Sequence, residues 1–222
     1  SRRGSGPSIS GGGTPSALAT GDLERLVAGV LAEVGGGVGE FTIEVNPTTL
    51  SAEKARMLRG LGVNRASLGA QSFDAAALAT LGRQHGPERI GRTFEILREA
   101  GFENIGLDLI YGVPGQSEAA WLGTVGGAVA LGPEHVSAYG LTYEEDTLFF
   151  LRLGSGEWSR DEGMEARLFL GTRRLLEGAG YIPYEVSNFS RPGFESEHNL
   201  AYWRGKDYRS EEHTSELQSP NT

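Results

Sequence analysis

Three consecutive glycines, Gly11, Gly12 and Gly13, stand between the short run Ser8-Ile9-Ser10 and the pair Thr14-Pro15. With no side chain in the way, backbone N–H groups at such a place come close to whatever binds. Bare N–H groups at a strand-to-helix turn suit a carboxylate, a phosphate or the polar end of a nucleotide-like cofactor. A tight turn calls for the same glycines, so the triplet by itself leaves both readings open. Later apolar runs end in polar residues of their own: Glu44 and Asn46, Gln71, Asp108 and Thr142. Glu44 and Asp108 are the residue types of an acid–base pair, as in a lyase or hydrolase, and equally of buried carboxylates satisfied by their neighbours.

Those residues need elements that bring them to one rim. Leu23, Leu26, Val27, Val30, Leu31 and Val34 fall at helical spacing, with Thr20 or Asp22 as cap, and predict an amphipathic helix. Residues 41–47 form a short buried strand stopped by Pro47, and Ser51 opens a helix through Leu58 and Leu61 that Gly62 closes. Strands over 65–71, 104–111 and 135–142 alternate with helices over 74–81, from Pro87 to Gly101, and from Ser117 through Val129. Strand and helix thus alternate about five times over residues 8–142, the pattern of parallel βα units with right-handed crossovers. Both an open doubly wound sheet and a barrel place ligands beyond the carboxyl ends of the strands. The polar strand-end residues collect there.

Beyond Thr142 the texture changes. Residues 143–147 form a loop, Asp161 begins a helix running to Gly180, and 181–186 are extended. Tyr181, Tyr184, Phe189, Phe194, Tyr202, Trp203 and Tyr208 crowd this end, which reads as the start of a smaller α+β extension. Residues 209–222 have no apolar period and look like a translated sequencing adapter, so they are set apart from the fold. The opening Ser1-Arg2-Arg3 without a methionine suggests a start inside a longer chain.

Composition narrows the classes. A formal charge of −9 without a basic block argues against a nucleic-acid backbone as main partner. No apolar run reaches the length of a transmembrane helix and no leader is legible, so a cytoplasmic setting is expected. The 222 residues contain no cysteine, which excludes disulfides and any thiolate-held iron–sulfur cluster within this chain.

Several motifs are shared with one group. Gly-Gly-Gly-Thr-Pro-Ser (11–16), Glu-Val-Asn-Pro (44–47), Gly-Val-Asn-Arg (62–65), Gly-Ala-Gln-Ser-Phe (69–73), Leu-Gly-Arg-Gln-His (81–85) and Asp-Leu-Ile-Tyr-Gly-Val-Pro-Gly-Gln (108–116) resemble the radical S-adenosylmethionine proteins related to oxygen-independent coproporphyrinogen III oxidase. The resemblance runs in order over residues 7–208. Within the group, residues 71–73, 141–144 and above all His198-Asn199-Leu200-Ala201-Tyr202-Trp203 are similar to the HemW-type heme chaperones.

The resemblance implies an α/β fold, a partial six-unit (β/α) radical-SAM barrel that here lacks its first unit (residues 1–142), followed by a truncated α+β extension (143–208). It implies that Gly12, Gly13 and Thr14 hold the methionine end of S-adenosylmethionine, with Glu44, Gln71, Arg83, Asp108 and Thr142 as further contacts. Carboxylates accept from ammonium or ribose hydroxyls, and Arg83 suits a carboxylate partner, though a surface ion pair would use it equally well. The family's three-cysteine loop, which binds a [4Fe–4S] cluster, has no counterpart here, so the chain by itself is expected to be inert in radical chemistry. His198 becomes a candidate heme ligand, with Asn199 orienting it and Tyr202 and Trp203 packing on the macrocycle; a structural histidine among packed aromatics is the competing reading. On separate elements, the heme candidates and the glycine-loop site are expected to act independently. The implied function is a heme chaperone that delivers heme to an acceptor protein; oxidative decarboxylation of coproporphyrinogen and a barrel lyase built on Glu44 and Asp108 are the alternatives.

Overall fold

The computed structural model describes residues 8–10, 14–34, 39–145 and 147–205; Gly12, Gly13, Tyr208 and the segment 209–222 lie outside them. In chain order the elements are β1 (Ser8–Ser10), α1 (Thr20–Val34), β2 (Phe41–Val45), α2 (Ala52–Gly60), β3 (Arg65–Gln71), α3 (Ala75–Thr80), α4 (Pro87–Glu99), β4 (Ile105–Tyr111), α5 (Glu118–Leu131) and β5 (His135–Gly140). They continue with α6 (Leu148–Gly154), α7 (Glu162–Gly178), β6 (Ile182–Pro183), β7 (Asn188–Ser190) and α8 (Glu197–Trp203). One sheet runs in the order β1-β2-β3-β4-β5-β7-β6 among the described residues. Strands β1 to β5 are parallel neighbours joined by helical crossovers, as the alternating pattern requires. β7 then lies antiparallel to β5, and β6 antiparallel to β7, so the sheet runs on past Thr142.

Each central strand has two different faces. Ile43 and Val45 of β2, Ala66, Leu68 and Ala70 of β3, Ile105, Leu107 and Leu109 of β4, and Val136 and Ala138 of β5 are buried in the same core as Leu58, Leu97, Trp121 and Val125 from the helices. Alternate residues point to the opposite face, and there the sequence is polar: Glu44, Arg65, Ser67, Asp108, His135 and Ser137. The helices are fixed at their starts by side-chain caps. Ser51, Asp74, Ser117 and Asp161 each accept from a backbone N–H one turn on, satisfying a donor the helix leaves unpaired. Gly132 ends α5 in the left-handed region at φ 68°, a conformation open to glycine at little cost.

α5 and α7 lock together through Trp121, whose Nε1–H donates to Thr172 Oγ1 at 2.7 Å in a fully buried contact. Gly171 leaves room for Leu122 beside it; a Cβ at 171 would stand 3.0 Å from Leu122 Cδ2.

Some expected boundaries shift. β2 ends at Val45, where Asn46–Thr49 closes a turn, and β5 ends at Gly140, the Leu141 N–H bond to Tyr111 O at 2.8 Å being the last of the β4–β5 ladder. α1 buries Leu23 and Val27, while Leu26 is 43% exposed, so its apolar face is narrower than the spacing implies. α6, α8 and β7 are additional to the expected elements.

Thr172→Val keeps the shape at the α5–α7 contact and leaves the buried indole N–H without an acceptor. It is expected to destabilise by about 1–3 kcal/mol; an unchanged urea midpoint would show that another acceptor takes over.

Candidate functional site

The polar face of the sheet encloses a cavity of about 550 Å³. Thr14, Glu44, Gln71, Arg83, Asp108 and Thr142 all line it, and so do His198 and Asn199. Gly12 and Gly13 lie outside the described residues. The cavity runs from the carboxyl ends of the strands, where Gln71 and Thr142 stand, down to Arg65 and His135, the first residues of β3 and β5.

Thr14 is held through its neighbours in the chain. Pro15 and Ser16 are buried in a short 3-10 turn, and the Ser16 hydroxyl lies 2.6 Å from Thr49 Oγ1 and accepts from the Asn46 N–H at 3.2 Å. Lys54 Nζ donates to Ser16 O at 2.8 Å and to Thr49 O at 3.2 Å. The exit of the glycine loop is thereby clamped to the end of β2, next to Glu44.

Gln71 is aimed by strain. Its φ is 65°, in the left-handed region that non-glycine residues seldom occupy, and the β3–β4 register shifts between Gly69 and Gln71. The turned-in amide lies over Gly69, where a Cβ would be 3.0 Å from Gln71 Nε2. Backbone strain of this kind persists where the surroundings over-determine it.

Asp108 is half-buried at the centre of β4. Burial raises its pKa, and hydrogen bonds from Ser67 and Ser137 together with the nearby Arg65 charge pull the other way. Ser67 Oγ donates to Asp108 Oδ2 at 2.8 Å. Glu44 is also raised, first by burial and then by the Asp108 carboxylate. Two carboxylates that resist ionisation side by side form a site that a cation would relieve.

The floor is α8. Glu40, 5% exposed just before β2, accepts from the Glu197 N–H at 3.0 Å, the His198 N–H at 3.3 Å and Ser196 Oγ at 3.3 Å. A carboxylate at a helix N-terminus satisfies donors the helix cannot and matches the sign of its dipole. This seats α8 under the barrel with His198 and Asn199 on the cavity. Burial lowers the His198 pKa, with the Glu40 charge opposing and the Arg65 charge adding. Tyr202 and Trp203 instead are 62% and 60% exposed and do not line the cavity. His198 and Asn199 share one cavity with Glu44 and Asp108, because Glu40 ties α8 to the strand that carries Glu44.

Arg65, Ser67, His135, Ser137 and Tyr139 also line the cavity and are additional to the expected site. Their signal was present as polar residues at period two within buried strands, Arg65-x-Ser67-x-Gly69-x-Gln71 and His135-x-Ser137-x-Tyr139.

The family model described as the Radical SAM superfamily matches residues 2–126. The chain is 38% identical over 201 residues to "Heme chaperone HemW" of Bacillus subtilis, covering 89% of this chain and 53% of that protein. It is 39% identical over 199 residues to the protein of the same name in Escherichia coli, covering 89% and 52%. The chain therefore spans about half the length of the curated relatives it matches. Among solved structures, coproporphyrinogen III oxidase (HemN) from Escherichia coli, titled a radical SAM enzyme, superposes with a TM-score of 0.71 at 26% identity over 89% of this chain and 45% of that one. Elp3 from Methanocaldococcus infernus shares the fold with a TM-score of 0.65 at 20% identity, over 74% of this chain and 43% of that one.

Two outcomes are expected from the strained and the desolvated residue. Gln71→Gly relieves the left-handed backbone and should raise stability by up to about 1 kcal/mol, while S-adenosylmethionine binding measured by calorimetry falls; a gain in affinity would detach Gln71 from the ligand. Glu44 binds its proton more tightly folded than unfolded, so its destabilisation is absent in acid and grows as pH rises from the ordinary 4.5 to the raised folded value. Glu44→Gln should match the parent at low pH and exceed it in thermal stability above that window. Curves that stay parallel across the range would exclude this account.

Proposed function

From the premise that this chain belongs to the radical S-adenosylmethionine superfamily, we propose that it is part of a heme chaperone that binds S-adenosylmethionine and heme and passes heme to an acceptor protein. The observation that carries the reading is the shared cavity, lined both by the family's cofactor-contacting positions and by His198 and Asn199 of the His-Asn-x-x-Tyr-Trp segment. The names of the bacterial relatives support it. A cytoplasmic setting goes with this reading; among the described residues no helix is long and apolar enough to cross a membrane.

The residues present suit S-adenosylmethionine. Its sulfonium and ammonium charges are what two crowded, partly desolvated carboxylates, Glu44 and Asp108, favour, and Arg83 and Thr14 line the same cavity for its carboxylate end. When bound it supplies the carbon–sulfur bond that the family cleaves. This chain's part is to bind and orient it, with Gln71 held over Gly69 and Thr14 clamped through Ser16. A [4Fe–4S] cluster is different. The chain contains no cysteine, so its residues do not fit a thiolate-held cluster.

Heme finds a suitable donor in His198. Burial lowers its pKa, so the imidazole stays neutral, the form that ligates iron. Tyr202 and Trp203, exposed beside it with ring centroids 6.1 Å apart, offer apolar area at the outer end of α8.

A second reading, oxidative decarboxylation of coproporphyrinogen, is favoured by the superposition on the oxidase. The barrel lyase has less support, because Asp108 is already engaged by Ser67 and Ser137.

Heme titration followed by absorbance separates the readings. His198→Ala is expected to shift the heme spectrum and weaken binding by about tenfold or more, and Asn199→Ala to act in the same direction with a smaller effect. Because the His198 pKa is depressed, wild-type heme binding should persist below pH 6.5, where an ordinary imidazole would already be protonated. Titrations that superimpose for wild type and His198→Ala would remove this residue as a ligand, and turnover of coproporphyrinogen without a stable heme complex would favour the oxidase.

A further inference from the structure

At the amino-terminal end of the barrel, away from Gln71 and Thr142, the cavity contains a buried cation with no part in holding S-adenosylmethionine or heme iron. Arg65 opens β3 and is 4% exposed. Its Nε has no hydrogen-bond partner among the described residues, and Glu40 Oε2 stands 3.9 Å away, too far for a hydrogen bond. Both nearby carboxylates are engaged elsewhere. Glu40 receives the N–H groups of α8, and Asp108 receives Ser67 and Ser137. The guanidinium therefore has an ion-pair partner in Glu40 while its buried Nε–H stays without an acceptor, a costly arrangement.

Beside it lies His135, 1% exposed, with Nδ1 also lacking a partner. Its Nε2 lies 2.7 Å from the Tyr184 hydroxyl. That hydroxyl oxygen accepts from the Ser196 N–H at 3.3 Å and from Asn199 Nδ2 at 3.2 Å, so its own proton is directed at His135 Nε2. With Nε2 accepting, the neutral ring carries its hydrogen on Nδ1. Burial and the Arg65 charge keep the ring neutral. The unpartnered Nδ1 is therefore a donor.

The two donors converge over a glycine. A Cβ built on Gly106 would lie 3.4 Å from Arg65 Nη2 and 3.4 Å from His135 Nδ1. The missing side chain of Gly106 thus leaves a niche between a guanidinium N–H and an imidazole N–H, next to the cavity that Arg65 and His135 line. Two N–H donors facing one space call for an acceptor oxygen, and the guanidinium charge favours an anionic one.

We infer that the niche formed by Arg65, His135 and Gly106 is a carboxylate-binding subsite, taking one carboxylate group of a ligand that occupies the barrel cavity. A carboxylate fits better than a phosphate. Glu40 and Asp108 stand close by, and a dianion would meet twice the repulsion that a single carboxylate meets there. The planar fork of arginine also matches a carboxylate in two parallel hydrogen bonds. The group can belong to a porphyrin propionate or to a smaller free acid. The subsite stands on its own donors, independently of His198.

Two probes and two variants test it. Gly106→Ala fills the niche with a methyl group at ordinary contact distance and leaves every charge in place; Arg65→Gln removes the cation. Thermal unfolding of the full chain is followed in sodium propionate and in sodium chloride at equal ionic strength. Quenching of intrinsic fluorescence is followed with mesoporphyrin IX and with its dimethyl ester. Wild type is expected to melt higher in propionate than in chloride, and to bind the diacid about tenfold more tightly than the ester, the weight of one charge-assisted hydrogen bond. Both differences should vanish in both variants. A propionate effect without ester discrimination keeps the subsite and assigns it to a small acid; ester discrimination without a propionate effect keeps it and assigns it to the porphyrin. If neither difference exists in wild type, or if both persist in Gly106→Ala and Arg65→Gln, the inference is overturned. Failure of either porphyrin to bind counts against the heme reading and leaves the propionate arm to decide this one.

Discussion

The attachment of α8 to Glu40 is the interaction on which the site depends. Glu40 and α8 are more than 150 residues apart in the chain, and the contact consists of one buried carboxylate receiving two backbone N–H groups and a hydroxyl. No residue of α8 is buried, so packing alone gives the helix little reason to stay. Charge-assisted hydrogen bonds of this kind contribute about 1.5–3 kcal/mol each. They turn an open sheet into a vessel with a floor. Tyr184 reinforces the seat by bonding Ser196, Asn199 and His135 at once, joining α8 to the first residue of β5.

A vessel lined by carboxylates, a guanidinium and imidazoles is a poor core by the measure of burial, and the protein separates the two demands by strand face. The helix-facing side of β2 to β5 is aliphatic and closed, and the lumen side is polar. Stability is drawn from one face, which leaves the other free to carry polar and ionisable groups. The shifts of Glu44, Asp108, His135 and His198 share burial as their first cause, and all four line the same cavity.

The parallel βα run was legible because its signals are local. Ser51 and Ser117 cap where a capping residue precedes a helical stripe, Gly62 takes φ 97° where the chain must turn, and the apolar residues of β3 and β4 alternate at period two. What escaped is non-local. β7 has three residues and exists through its antiparallel pairing with β5, and α8 is defined by its Ser196 cap and by Glu40. The polar lumen escaped for another reason. Arg65 and Ser67 alternate with Ala66 and Leu68 as they would on a strand with one face in water, and a single sequence does not distinguish water from the inside of a barrel. The strand-end residues Glu44, Gln71, Asp108 and Thr142 were found because parallel topology itself directs attention to that rim. Gly12 and Gly13 lie outside the described residues.

The shared lumen also has a thermodynamic consequence. Groups that bind at opposite ends of one dry chamber are not separate binding events, since each changes the field and the water that the other meets. Linkage then works in both directions: whatever factor an occupant near Gln71 applies to the affinity of an occupant near His198, the second applies to the first. Such linkage needs no moving lid: a charge placed beside Glu44 and Asp108 changes the field that His198 meets, and a charge placed beside His198 changes the field at the two carboxylates.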